Sequence, residues 1–168
     1  MATSASKLIA HWRSQNLRIM PGNTEDRVRD FESRNAVILP PDFREYFLSV
    51  DGMAQVGGHD SDPTGFAFWP LARVQSVIKE CAEHSLVVPE VQDQDKYFAF
   101  ADYLQWSWGY AIHLGDRPSA PNPVIHVATL RPKVVARSFT DFVDMYLRDA
   151  EELYVRGQDH LANRTERP

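Results

Sequence analysis

Phe43, Tyr46, Phe47 and Val50 recur at i, i+3, i+4 and i+7. That spacing lines one face of an α-helix, so three aromatic rings and a valine are predicted to be buried together. Pro40 and Pro41 stand just ahead of the stripe, where a helix start has no use for the missing N–H, and Asp42 sets negative charge at the positive end of the helix dipole. Gly52 follows the last periodic position and is expected to close the helix in the left-handed conformation. The same periodicity marks four further helices. Leu8, Ile9 and Trp12 share a side of a first helix that Ser4 or Ser6 can cap. Thr24 can cap a second, with Glu25 and Asp26 in its first turn and Val28 and Phe31 facing inward. Val74, Val77, Ile78 and Cys81 predict a helix over residues 71–84. Ser138 begins the last, with Asp141 in a capping-box-like place and Phe139, Phe142, Val143, Tyr146 and Leu147 as the buried stripe, a helix that can extend through Tyr154.

Between these lie short runs rich in aromatic and β-branched residues: 65–69, 97–101, 109–114, 123–129 and 134–136. Short links suit antiparallel pairing. The expected class is therefore α+β, a mixed, mainly antiparallel sheet of about five strands with helices packed on one side. Residues 54–65 and 115–123 are turn formers and read as connections. The expected organisation is a helical appendage over 1–23, one α+β domain over 24–156, and a polar, frayed tail over 157–168.

Composition narrows the picture. With 168 residues, 43% hydrophobic and 24% charged, the chain suits one ordinary globular domain. Cys81 is the single cysteine, which excludes an intrachain disulfide framework and a cysteine-rich zinc site. The first residues lack the apolar centre of a secretion signal, and no run approaches the roughly 20 apolar residues that cross a bilayer, so a cytoplasmic location is expected. The net charge of −5 is unevenly spread: residues 1–40 sum to +2, 41–116 to −8 and 117–168 to +1. An acidic middle argues against phosphate contacts and favours a basic partner, or else serves as a solvated surface.

Catalytic signals are weak. His59-Asp60-Ser61-Asp62 is the densest group of metal-ligating types, yet no His-Glu-x-x-His or His-x-His spacing accompanies it. A metal-dependent hydrolase is the remote alternative; no metal, cofactor or catalytic residue is expected. The nucleophile elbow, the P-loop and the dinucleotide fingerprint do not occur. His113 and His126 sit in strand-like runs, opposite their apolar neighbours, where they can pair across the sheet; surface positions without a catalytic role are expected. Tyr103, Trp106, Trp108 and Tyr110 are four aromatics within eight positions, a composition typical of binding hot spots. Alternation would put Trp106, Trp108 and Tyr110 on one face, with Trp108, Tyr110 and Trp69 in the core and Tyr103 outside.

The run Leu39-Pro40-Pro41-Asp42-Phe43-Arg44-Glu45-Tyr46-Phe47-Leu48, followed by a polar residue and glycine, resembles the signature of the SUKH superfamily, which holds Smi/Knr-type cell-wall regulators and bacterial toxin-immunity proteins. Asp51-Gly52 stands where the family usually has Asn-Gly. Phe66-Ala67-Phe68-Trp69-Pro70-Leu71 looks like the family's strand leading into a second helix, and Phe98-Ala99-Phe100-Ala101-Asp102 like the start of its central hairpin. The family's glycine-rich turn is replaced by Tyr103-Leu104-Gln105-Trp106-Ser107-Trp108-Gly109. The likeness spans residues 36–154. It implies the same α+β architecture and a non-enzymatic, cytoplasmic immunity protein that occludes a toxin domain, a nuclease being the basic partner that the acidic middle would suit. A fungal-type regulatory scaffold is the alternative. In the immunity reading Asp51, Asp60, Asp62, Asp93, Asp95 and Asp102 would steer the partner, and Tyr103 and Trp106 would dock it.

Overall fold

The computed structural model describes residues 2–54, 61–117, 121–127 and 131–155. In chain order they form α1 (Ser4–Ser14), β1 (Ile19–Pro21), α2 (Glu25–Asn35), α3 (Pro41–Ser49), β2 (Val50–Met53), β3 (Phe66–Phe68), β4 (Gln75–Ser76), α4 (Val77–Glu83), β5 (Tyr97–Tyr103), β6 (Trp108–His113), β7 (Val124–Val127), β8 (Val134–Ala136) and α5 (Phe139–Leu147). Short 3-10 turns lie at Gln94–Lys96 and Glu151–Leu153.

Side-chain oxygens start four of the helices. Thr3, Thr24, Ser76 and Ser138 each accept a hydrogen bond from the backbone N–H three residues on, filling one of the donors a first turn leaves free. α3 instead begins at Pro41, which has no N–H to satisfy. Asp42 does more than favour the dipole of its own helix. Its Oδ2 accepts from Thr140 N and Thr140 Oγ1, both at 2.9 Å, and Ser4 Oγ reaches the same hydroxyl at 3.1 Å. One carboxylate thereby fastens the starts of α1, α3 and α5 together. Asp42→Ala leaves the Thr140 donors without it, and urea denaturation is expected to show a loss of about 1–3 kcal/mol.

The main sheet runs β3-β5-β6-β7-β8, with β4 also paired to β5, and every pairing among the described residues is antiparallel. β1 and β2 make a separate two-stranded ladder. A bulge between Ala99 and Ala101 gives β5 one extra residue. Phe98, Phe100, Tyr110, Ile112 and Val124 face a large core shared with α1, α2, α3 and α5. Tyr97, Ala99, Ala111, Ile125 and Val127 face a second, smaller core with Trp69, Val77 and Cys81. Phe43 is the hub of the larger core. Its ring lies 4.8 Å from Phe47, 4.8 Å from Phe139, 5.4 Å from Phe100 and 6.1 Å from Tyr46.

The α+β class and the antiparallel sheet agree with the sequence reading, and several details differ from it. Four helices pack on one face, while α4 covers the other. α4 begins only at Val77, because Leu71 and Val74 belong to a turn and Ser76 caps the helix. α3 stops at Ser49, and Val50 is already extended with φ −154°. Gly52 is left-handed at φ +74°, as expected, but inside β2; a Cβ there would meet Phe68 and Trp69 backbone atoms at 2.7 Å. Close approach of two backbones, not a helix cap, requires that glycine. α5 ends at Leu147, short of Tyr154. α1 is no appendage: Leu8 and Trp12 are fully buried in the main core, and Trp12 Nε1 donates to Tyr146 Oη at 3.0 Å. The predicted tail, 157–168, lies outside the described residues.

Cys81 lies at the centre of the smaller core. Burial, and then the Glu80 carboxylate, push its thiol from 9.0 up to about 11. A group that binds its proton more tightly in the fold adds stability below its unfolded value and loses it as pH climbs to the folded one. Thermal stability should fall from about pH 9 upward, and Cys81→Ala should flatten the first part of that fall. Burial likewise raises the Tyr110, Tyr146 and Tyr154 hydroxyls, so the later part, above the ordinary phenol value, should persist in the variant.

Candidate partner-binding face

The smaller core leaves one end of the sheet's second face to the turn between β5 and β6. Leu104, Gln105 and Trp106 all adopt positive φ, at 47°, 53° and 69°. Three successive side-chain-bearing residues in the left-handed region cost roughly 1–2 kcal/mol each. Surrounding contacts hold them there. Asp102 accepts from Trp106 N at 3.2 Å through Oδ1 and from Trp69 Nε1 at 2.6 Å through Oδ2. Arg73 stacks over the Trp69 ring at 3.9 Å, with Nη1 3.9 Å from the same Oδ2. Gly109 lets the Trp106 ring come close against β6, since a Cβ there would stand 2.8 Å from two ring carbons.

Trp106 is thereby turned onto the second face, away from Trp108 and Tyr110. Alternation fails because β6 begins only at Trp108. Trp108 and Tyr110 are core residues of the first face, joined by a 2.8 Å hydrogen bond from Trp108 Nε1 to Tyr110 Oη. Trp106 is half-buried, 5.6 Å from the Trp69 ring and 6.0 Å from the His84 ring. Its Nε1 is enclosed and has no hydrogen-bond acceptor. Leu104, next to it, is 53% exposed.

From His84 the chain runs back along the same face to the other end of β5. Leu86, Val88 and Val91 pack inward there, while Val87 and Glu90 point out. Asp93 and Asp95 are exposed beside the Gln94–Lys96 turn. They lie close enough to His113 to oppose the lowering of its pKa, which burial dominates. Trp106 and the Asp93/Asp95 pair thus occupy opposite ends of one strip, about 20 Å apart by the length of β5.

The remaining expected site residues lie elsewhere. Asp51 is 8% exposed and accepts from Leu71 N at 2.6 Å. Asp62 is 4% exposed; Oδ1 accepts from Thr64 N, Thr64 Oγ1, Gly65 N and Phe66 N, and Oδ2 from Tyr146 Oη. Both carboxylates are engaged inside the fold. Tyr103 is half-buried on the first face, stacked at 4.5 Å on Trp108 and 5.3 Å from Tyr154. Asp60, with His59, lies outside the described residues. His126 is not at the surface: it is 5% exposed, and its Nε2 and the Tyr110 hydroxyl both meet the Leu153 carbonyl, at 2.9 and 2.6 Å. His113 faces Tyr97 on the opposite side of the sheet, so the two histidines do not pair. Sequence reasoning passed over Arg73, Gln75, Glu80 and His84. The one signal for Glu80 was an acid set inside the apolar stripe Val77 to Cys81.

The fold and the signature helix bear on family. A family model described as SMI1/KNR4 (SUKH-1) matches residues 22–145. The chain belongs to that family. The matched span holds the Leu-Pro-Pro helix, all six strands of the main sheet and the Leu104–Trp106 turn of this SUKH domain. For function, membership supports a non-catalytic immunity or regulatory domain in general. No curated protein matches the chain. Among the described residues, no group of three or more His, Cys, Asp or Glu side chains is placed to hold a metal ion, and no helix is long and apolar enough to cross a membrane. A cavity of about 660 Å³ beside β8 is lined by Lys133, Glu151, Glu152 and Tyr154 among others.

Proposed function

We propose that this SUKH domain is an immunity protein that binds a basic toxin domain, a nuclease being the type that fits, and covers its working surface. The observation that carries the proposal is Trp106, held half-buried on a strained three-residue turn beside an exposed leucine, at the end of a strip whose outer rim bears Glu83, Glu90, Asp93 and Asp95. Rigid aromatics flanked by apolar contacts form the centre of binding hot spots. Acids at the rim raise the rate at which a basic partner arrives. Asp93 and Asp95 steer, Trp106 and Leu104 dock, and Asp102 holds the turn in place from behind. Strain accepted in the free protein leaves less to be ordered on binding.

Co-expression with the product of the neighbouring gene tests this. Co-purification and relief of toxicity are expected; toxicity that persists while both proteins are soluble rejects the assignment. A neighbour encoding a cell-wall or signalling component would point to the regulatory branch of the family.

A further inference from the structure

Glu80 is a carboxylate only 1% exposed, on the inner flank of α4. A buried charge is costly unless it is paired with a full counter-charge. Here the amide of Gln75 stands in that place, its Nε2 donating to Oε2 of Glu80 and, at 2.8 Å, to Oε2 of Glu83. A neutral donor thus bridges two carboxylates where a cation would bind about twice as strongly. Oε1 of Glu80 is enclosed and receives no hydrogen bond. The basic group that approaches it is His84 Nδ1 at 3.5 Å, and that nitrogen also faces the Glu80 backbone carbonyl at 3.1 Å. Lys79 stays on the outer side, 3.8 Å from the other oxygen of Glu83. Beyond the imidazole lies the Trp106 ring, its Nε1 likewise without a partner.

We infer that the Gln75–Glu80–Glu83 cluster on α4, next to His84 and Trp106, receives an arginine side chain of the protein partner, whose guanidinium replaces the Gln75 amide between Glu80 and Glu83. This rests on the docking proposed above and names the side chain that is received. Arginine fits where lysine does not. Its planar fork can bond two carboxylates at once, and its stem and plane can lie along the His84–Trp106 stack. The rim acids supply the complementary field, with Glu83, Glu90, Asp93 and Asp95 outnumbering Arg73, Lys79 and Lys96. Glu80, already desolvated, gives up little further hydration when the guanidinium enters.

The test needs no knowledge of the partner. N-acetyl-arginine amide is titrated into the full chain while indole N–H signals are followed by nitrogen-15 NMR. The chain has four tryptophans. Trp12, Trp69 and Trp108 donate to Tyr146, Asp102 and Tyr110, so the Trp106 signal is the one without an acceptor, and W106F identifies it. It should move saturably, with a dissociation constant of about 1 mM, and should not move with citrulline amide, which keeps the shape without the charge. Gln75→Ala should tighten binding severalfold, and Glu83→Gln, a change at an exposed side chain, should weaken it about tenfold. Glu80→Gln should abolish it in a protein whose spectrum shows it folded. No saturable shift, an equal response to citrulline or lysine amide, or indifference to Glu83→Gln would overturn the inference. If partner capture survives such a failure, docking stands and the arginine site falls; if capture itself is lost, the proposed function falls first.

Discussion

Phe43→Ala is expected to remove about 3–5 kcal/mol of folding stability, a large share of the roughly 5–15 kcal/mol that holds a domain of this kind. The ring is fully buried and meets four others, from α3 itself, from β5 and from α5. These elements approach from different directions, and the starts of α3 and α5 are tied by Asp42 and Thr140. The two helices cannot collapse into the space without breaking those bonds, so the cavity term should come close to its full value. Urea denaturation followed by far-ultraviolet circular dichroism measures the loss. Phe43→Leu, which retains most of the volume, should cost less than half as much. A loss below about 1 kcal/mol for the alanine variant would mean the ring is not the hub its neighbours indicate.

The helix that carries Phe43 was legible because every cue for it is local. Two prolines, an acid and a 3–4 spacing act within ten residues, and Thr24 and Ser138 marked helix starts for the same reason. What depended on distant partners was not legible. Asp42 reaches Thr140 across 98 positions, and β1, three residues ending in proline, pairs with a strand some thirty positions on. Composition counts Asp51, Asp62 and Asp102 as surface charge, because nothing in a single sequence shows that Leu71 N–H or Trp69 Nε1 will come to meet them. Asp62 is the partial exception. Asp-Pro-Thr-Gly is a turn sequence, and its carboxylate gathers the N–H groups of the residues that follow. Trp106 was found as an aromatic and misplaced as to face, since period-two alternation assumes extended backbone and the turn residues are left-handed.

That placement sets the second large expectation. Trp106→Ala should weaken binding of the partner by about 2–4 kcal/mol, roughly 30- to 1000-fold, while lowering the stability of the free domain by only about 1–2 kcal/mol, because the ring is half-buried at the rim of the smaller core. Tyr103→Ala is the informative control. Its ring stacks on Trp108 and meets Tyr154 on the first face of the sheet, so docking on the second face predicts a stability loss with affinity nearly intact. Asp93→Asn with Asp95→Asn should act differently again, slowing association by a factor that shrinks as salt is raised and leaving dissociation unchanged. Calorimetry for affinity and stopped-flow mixing for rates separate the three. Equal losses from Trp106→Ala and Tyr103→Ala would place the partner over the edge of the sheet, touching both faces at the β5–β6 turn, and would remove the second face as the seat of recognition.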